Sequence, residues 1–256
     1  MIRLRRFLAV AGLALGIVSP SVAASADELV RAALAAEARL DPARALELFL
    51  AAETARPADA VILQKIARQY SDLTVDLPTL EQKKSALENA LAYSRRAVAL
   101  DPKNAENVLS VAVCHGKLAV ISDTRRKVEY SRLVREDAER ALALRPDYAW
   151  AHHLLGRWHY EVADLGAAAR VFVKLFYGGL PAASTAEAVR CLERAVALEP
   201  QQLQHHLELG FAYAANRQPA KARAAFNAGL ALPSREKHDE PAKARARAAL
   251  EKLPNK

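Results

Sequence analysis

The chain has 256 residues, nine glycines and only 6% aromatics, with Ala and Leu dominant; this favours helix, argues against a sheet-rich fold and leaves enough chain for a sizeable core. The formal net charge is +8, with both signs interspersed and no basic stripe carrying interleaved aromatics. Nucleic-acid binding is therefore not expected, and charge alone indicates at most a mild preference for anionic partners.

In chain order, the first element is an address. "MIRLRR" is a basic start, "FLAVAGLALGIV" (7–18) an apolar run, and "SPSVAASA" a helix break followed by small residues. This is the pattern of a secretory signal peptide over residues 1–24. The run falls short of the ~20 residues that span a bilayer, so export to a periplasm or the exterior is expected, with an uncleaved N-terminal anchor as the alternative. Removal of the leader takes away Arg3, Arg5 and Arg6 and lowers the net charge to +5. No later run is long enough to cross a membrane.

From residue 27 onward one proline-marked pattern recurs: "AETARP" at Pro57, "VALDP" at Pro102, "LALRP" at Pro146, "VALEP" at Pro200 and "LALP" at Pro233. Each reads as a helix stopped by a proline. Five residues before each proline stands Ala: Ala52, Ala97, Ala141, Ala195 and Ala228. Ten residues after a proline stands a small residue behind an aliphatic one, at Ala67, Ala112, Gly156 and Gly210. Three further on come Tyr70, His115, His159 and Tyr213.

The proline spacings are 45, 44, 54 and 33. Against a repeat of ~34 residues, the three central units carry about ten, ten and twenty extra residues between their two helices. Thr79 with Gln82, and Ser184 with Glu187, have capping-box spacing and predict helix starts near 80 and 185. "LGAAARVFVKLFYG" predicts an inserted helix at about 165–177. "HDEPAKARARAALEKL" predicts a capping helix at about 240–253, with Pro241 in its first turn.

These residues resemble the tetratricopeptide repeat, a helix-turn-helix unit that buries its apolar face only against a neighbour. The predicted fold is all-α: a solenoid of about five such helix pairs over residues 27–256, plus the inserted and capping helices. "ARQYSDLTVDLPTLEQKKSALENALAYSRRAVALDP", "LLGRWHYEVADL", "KLFYGGLPAAST" and "AEAVRCLERAVALEP" together resemble the regulator of microtubule dynamics family over about residues 45–235, insertions included. The resemblance implies a helical, repeat-based, non-catalytic protein. Eukaryotic members of that family are associated with microtubules, mitochondria and membrane contacts, with a lipid-binding role proposed for the domain. The leader and the Ala/Arg-rich composition point to a bacterial, exported member, for which the fold transfers and the partner does not.

Chemical signatures are missing from the sequence. There is no GxSxG elbow, no phosphate-cradling glycine loop and no HExxH pair. No catalytic residue, metal site or cofactor is expected. Cys114 and Cys191 read as two buried thiols or, in an oxidising compartment, a bridge. His152 and His206 share a register position expected to pack between helices, and His115 and His159 share another. Arg157 with Glu161 has ion-pair spacing.

The candidate binding surface is the concave side, lined by the first helix of each pair: Gln64, Arg68, Lys117, Trp150, His153, Arg157, Tyr160, Glu161 and Phe211, with Ser71, Leu109 and Leu207 in the same register. Its mix of apolar area and cations fits a protein or peptide segment. The alternative is an anionic lipid, held in a cavity formed by groove and inserted helix with Arg68 or Arg157 on a phosphate. The Asn expected of a carboxylate clamp is replaced by Arg68, Val113, Arg157 and Phe211. The inserted helix carries Val171, Phe172, Val173, Leu175, Phe176 and Tyr177. It is expected to fold back, filling the groove or covering Trp158; left exposed, it would mark a contact.

Overall fold

A computed structural model describes residues 25–254, so the leader expected at 1–24 lies outside the described residues. Among these there are twelve helices and no strand. They are α1 (Ala26–Ala38), α2 (Pro42–Ala55), α3 (Ala60–Leu73), α4 (Leu80–Leu100), α5 (Ala105–Ile121), α6 (Thr124–Leu144), α7 (Ala149–Ala163), α8 (Ala167–Tyr177), α9 (Thr185–Leu198), α10 (Leu203–Ala215), α11 (Pro219–Ala231) and α12 (Asp239–Lys252). The pairs are α1/α2, α3/α4, α5/α6, α7/α9 and α10/α11, with α8 inserted and α12 as the cap. The solenoid of five pairs predicted from the prolines is present.

The prolines act through the residue before them, which is pushed out of the α region. Arg56, Asp101, Arg145 and Glu199 all take φ between −131° and −142° with ψ between 70° and 92°. Each N–H still closes the last turn, on Ala52, Ala97, Ala141 and Ala195. Those four alanines are fully buried. The fifth unit slips. Its proline comes one residue early, Leu232 takes a different geometry (φ −77°, ψ 146°), and Ala228 is exposed while Gly229 is buried. A Cβ on Gly229 would stand 2.6 Å from Leu207, so the small-residue position has moved by one.

Two of the three insertions are absorbed as helix. Instead of adding loop, α4 and α6 each grow to 21 residues, with Thr79 forming the full capping box on Gln82 and Asp123 capping α6. Ser184 caps α9 through Ala186 N alone; the box expected with Glu187 is not formed, because Glu187 pairs with Arg190. In the uninserted first and fifth units the pair turns through a non-glycine residue in the left-handed region, Leu40 (φ 59°) and Arg217 (φ 57°). The same bond follows in both: Asp41 N to Ala36 O, and Gln218 N to Tyr213 O.

Gly156 and Gly210 mark crossings. A Cβ at Gly156 would sit 2.7 Å from Leu192 in α9, and one at Gly210 would sit 2.5 Å from the Phe226 ring in α11. Cys114 and Cys191 are buried and free, and burial pushes both thiols up to about 11.

Candidate binding surface

From the second pair onward the first helices touch in the order α3, α5, α7, α10, with the cap α12 against α10, and form the inner face. Two polar networks run along it, and they engage the cations expected to be open to a ligand.

The first network centres on α3. Glu37 from α1 accepts from Lys65 at 2.8 Å and from Gln69 at 3.3 Å, and lies 3.2 Å from Arg68. Arg68 also faces Asp72 at 3.6 Å and, from the far end of the chain, Glu236 at 3.5 Å. Lys117 donates to Ser71 Oγ at 2.6 Å and lies 2.9 Å from His238 Nε2. That nitrogen is also 3.2 Å from Asp72. It can accept from Lys117 or, protonated, donate to Asp72, but not both at once. Burial pushes the Asp72 carboxyl up; the His238 bond and the charges of Lys117 and Arg68 outweigh it and hold the group below the usual range. Burial also lowers Lys117, against the pull of Asp72. Gln64 lies half-buried on the same helix.

The second network centres on Glu208, 5% exposed on α10. It accepts from Tyr160 Oη at 2.5 Å and from Arg245 of α12, with Arg157 at 3.9 Å. Burial, then the Glu208 charge, raises Tyr160 well above its ordinary value, so it stays a donor. Arg157 bonds Glu161 at 2.7 Å as the spacing predicts. The Arg245 guanidinium lies 4.3 Å over the Phe211 ring.

His153 is the clearest correction among the predicted surface residues. It is buried, its Nδ1 lies 2.9 Å from Nδ1 of His205, and Trp150 packs on both rings. His205 Nε2 faces Glu199 at 3.3 Å. A carboxylate only accepts, so His205 carries its proton on Nε2 and accepts at Nδ1 from His153. Burial holds both rings neutral, His153 down to about 3 and His205 to about 2. His152 and His206 are instead half-buried and bond the carbonyls of Pro146 and Pro200 at 2.9 and 2.8 Å. Their equivalence holds, but the buried histidine is the following residue in the first doublet, His153, and the preceding one in the second, His205. Ser71, Leu109 and Leu207 are likewise buried.

The inserted helix is the second correction. α8 does not enter the groove. Trp158 is covered by α6, through its Nε1 bond to Ser131 O at 2.7 Å and Arg135 stacked at 5.2 Å. α8 leans on α6 chiefly through Arg132, which donates to the carbonyls of Tyr177 and Gly179. Only Val173 is buried; Val171, Phe172, Leu175 and Phe176 are 46–73% exposed. Beside it lies a cleft of about 440 Å³ lined by Val162, Leu165, Arg170, Val173, Lys174 and Pro181 among others. None of the predicted groove residues lines it, so the expected joint cavity of groove and insertion is not formed.

Sequence reading missed Glu208, although it is the only charged residue of α10, and that isolation was a usable signal. It also missed Glu37, Glu236, His238 and Arg245, which join the face from other elements. Among the described residues, no group of three or more His, Cys, Asp or Glu is placed to hold a metal ion, and no helix is long and apolar enough to cross a membrane.

Helix pairs with small residues at the crossings and a polar inner face define a tetratricopeptide-type α-solenoid. Among solved structures, a thermophilic TPR protein from Thermus thermophilus superposes with a TM-score of 0.66 at 19% identity, covering 88% of this chain and 99% of that one. A family model described as regulator of microtubule dynamics protein 1-3 matches residues 22–254, and the chain belongs to that family. Regulator of microtubule dynamics protein 3 of Xenopus laevis is 30% identical over 138 residues, 54% of this chain and 30% of that protein. Protein 1 of Bos taurus is 27% identical over 143 residues, 56% and 45% of the two chains. The match thus spans less than half the length of these relatives.

Proposed function

We propose that the chain is a non-catalytic scaffold whose inner face holds a segment of another protein. The observation that carries this reading is that the face already holds non-helical polypeptide: residues 232–238 of the same chain, an extended start followed by a turn, lie against Arg68, Asp72, Asp76 and Lys117. The leader-like residues 1–24 favour action outside the cytoplasm. Microtubules, for which the relatives are named, are not the partner in this reading. Selection from a random peptide library, followed by cross-linking, tests it. Selected peptides should cross-link to α3, α5, α7 and α10; failure to select any peptide overturns the reading.

A second reading, lipid contact, is favoured by α8 alone. Its exposed apolar arc is flanked by Arg170 and Lys174, the arrangement of a helix lying in a membrane interface. In flotation with vesicles containing anionic phospholipid, the chain should float and the Phe172→Ser/Phe176→Ser double variant should not. Equal behaviour of the two proteins rejects it.

A further inference from the structure

The stretch Leu232–His238, sequence LPSREKH, joins the last solenoid helix to the cap and crosses the inner face back to the second unit. Pro233 keeps its start extended. Asp239 Oδ2 then accepts from the backbone N–H groups of Arg235 and Glu236 at 2.7 and 2.8 Å, and Asp239 N bonds Glu236 O at 3.1 Å, which folds residues 236–239 into a turn facing α3. Gln202 and Gln204 at the start of α10 hold it from one side, bonding Glu236 at 3.2 Å and Asp239 at 2.8 Å. On the other side two of its charged side chains meet opposite charges, and its imidazole lies between Asp72 and Lys117. Glu236 lies 3.5 Å from Arg68, Lys237 2.9 Å from Asp76, and His238 3.2 Å from Asp72 with Lys117 beside it.

We propose that this strap is a tethered stand-in for the partner. The inner face recognises a short turn-forming segment in which a carboxylate is followed directly by basic side chains, and a partner binds by displacing the strap. The inference rests on the peptide-holding reading above and specifies its ligand. Three observations carry it. The strap has an extended start and presents Glu236, Lys237 and His238 on a turn closed by the Asp239 N to Glu236 O bond, and these side chains complement Arg68, Asp76 and Asp72. The pocket between it, α3 and the α1–α2 turn holds about 30 Å³, room for roughly one water, and the strap's side chains already occupy Arg68 and Asp72, so strap and partner exclude each other. Its contacts to α3 are partly exposed ion pairs, individually weak, whereas α12 behind it is anchored by fully buried Ala246 with Leu250 and Leu253 against α10 and α11. The strap can therefore leave α3 while the cap stays docked. Tethering gives it a high effective concentration, which sets the threshold a partner must exceed.

The test uses a fluorescent peptide of residues 232–239, LPSREKHD, titrated by anisotropy into the full chain. It is titrated in parallel into a loosened chain carrying Glu236→Gln, Lys237→Gln and His238→Gln, with Arg68, Asp72, Asp76 and Lys117 intact and folding verified by circular dichroism. The single variant Lys237→Gln serves should the triple variant fail to fold. The loosened chain should bind at least tenfold more tightly than the native chain, and a peptide with Gln at the Glu236 position should lose most of that gain. Equal affinity for the two chains, or no binding to either, overturns the proposal. The random library run on both chains separates the two readings. Peptides unlike the strap in charge, binding both chains equally, overturn this proposal and leave the peptide-holding reading standing; no selected peptide on either chain overturns both.

Discussion

At the scale of single residues, the inner face is set by which side chains the helices can hide. Gly156 is a crossing point: a Cβ there already meets Leu192 and the Ala188 carbonyl at 3.1 Å. Gly156→Leu should therefore lower stability by about 3 kcal/mol or more through overpacking, read as a lower urea midpoint. The His153–His205 pair makes stability depend on pH. Both rings titrate far below the ~6.5 of an unfolded histidine, so between that value and about 3 the unfolded state binds more protons. Stability from this pair is fully present above pH ~6.5 and is lost as pH falls, with an initial slope of about 1.4 kcal/mol per unit for each ring. Denaturant melts between pH 7 and 4 should show it, and His205→Gln should flatten it. The burial of His115 and His159 was legible from repeat register, because equivalent positions share neighbours. His153 was not: it follows His152 by one residue of helix, and only the facing imidazole of His205, 52 residues on, makes the interior its better place.

At the scale of elements, local signals placed the helices well. Prolines and the Thr79 capping box act within four residues of themselves, so the ends of α2, α4, α6 and α9 and the start of α4 could be read directly. The misread box at Ser184 shows the limit: spacing permits the bond, but Glu187 has Arg190 one turn on and takes it instead. The left-handed turns at Leu40 and Arg217 are invisible to composition, since glycine is the usual residue there. Arg217 is exposed, so Arg217→Gly should relieve the backbone and raise stability by about 0.5–1 kcal/mol. Thermal melts check this, and a lower melting temperature would mean that the Arg side chain contributes more than its backbone costs. α8 was legible as a helix but not in direction. Its apolar arc reads like a core face, yet it meets the body through Arg132 of α6 and through its own Arg170 at the end of α7, so most of the arc stays exposed.

At the scale of the whole molecule, the solenoid is closed at its C-terminal end and across its inner face by the same short region. α12 covers the last pair with Ala242, Ala246, Ala249, Leu250 and Leu253, the polar-faced cap that stacked repeats need. Deleting residues 234–256 should expose Leu209, Phe211 and Leu230 and drive self-association, which light scattering on a sizing column measures. A monomeric truncated chain would show that the last pair needs no cap. The same deletion removes the strap, so binding and assembly should be measured on the loosened full chain, where α12 is retained.

The sequence by itself determined the repeat: its five units, the small residues at the crossings, the proline stops and the places where insertions begin. These are short-range matters, written in backbone sterics and helical periodicity. Tertiary structure alone decided which way the inserted helix turns, which histidine of each doublet is buried and what occupies the inner face. Those outcomes depend on solenoid curvature, which brings Glu236 and His238 to Arg68 and Asp72 across more than 160 residues of chain. Curvature sums small packing angles over every unit, and no local window of sequence contains that sum.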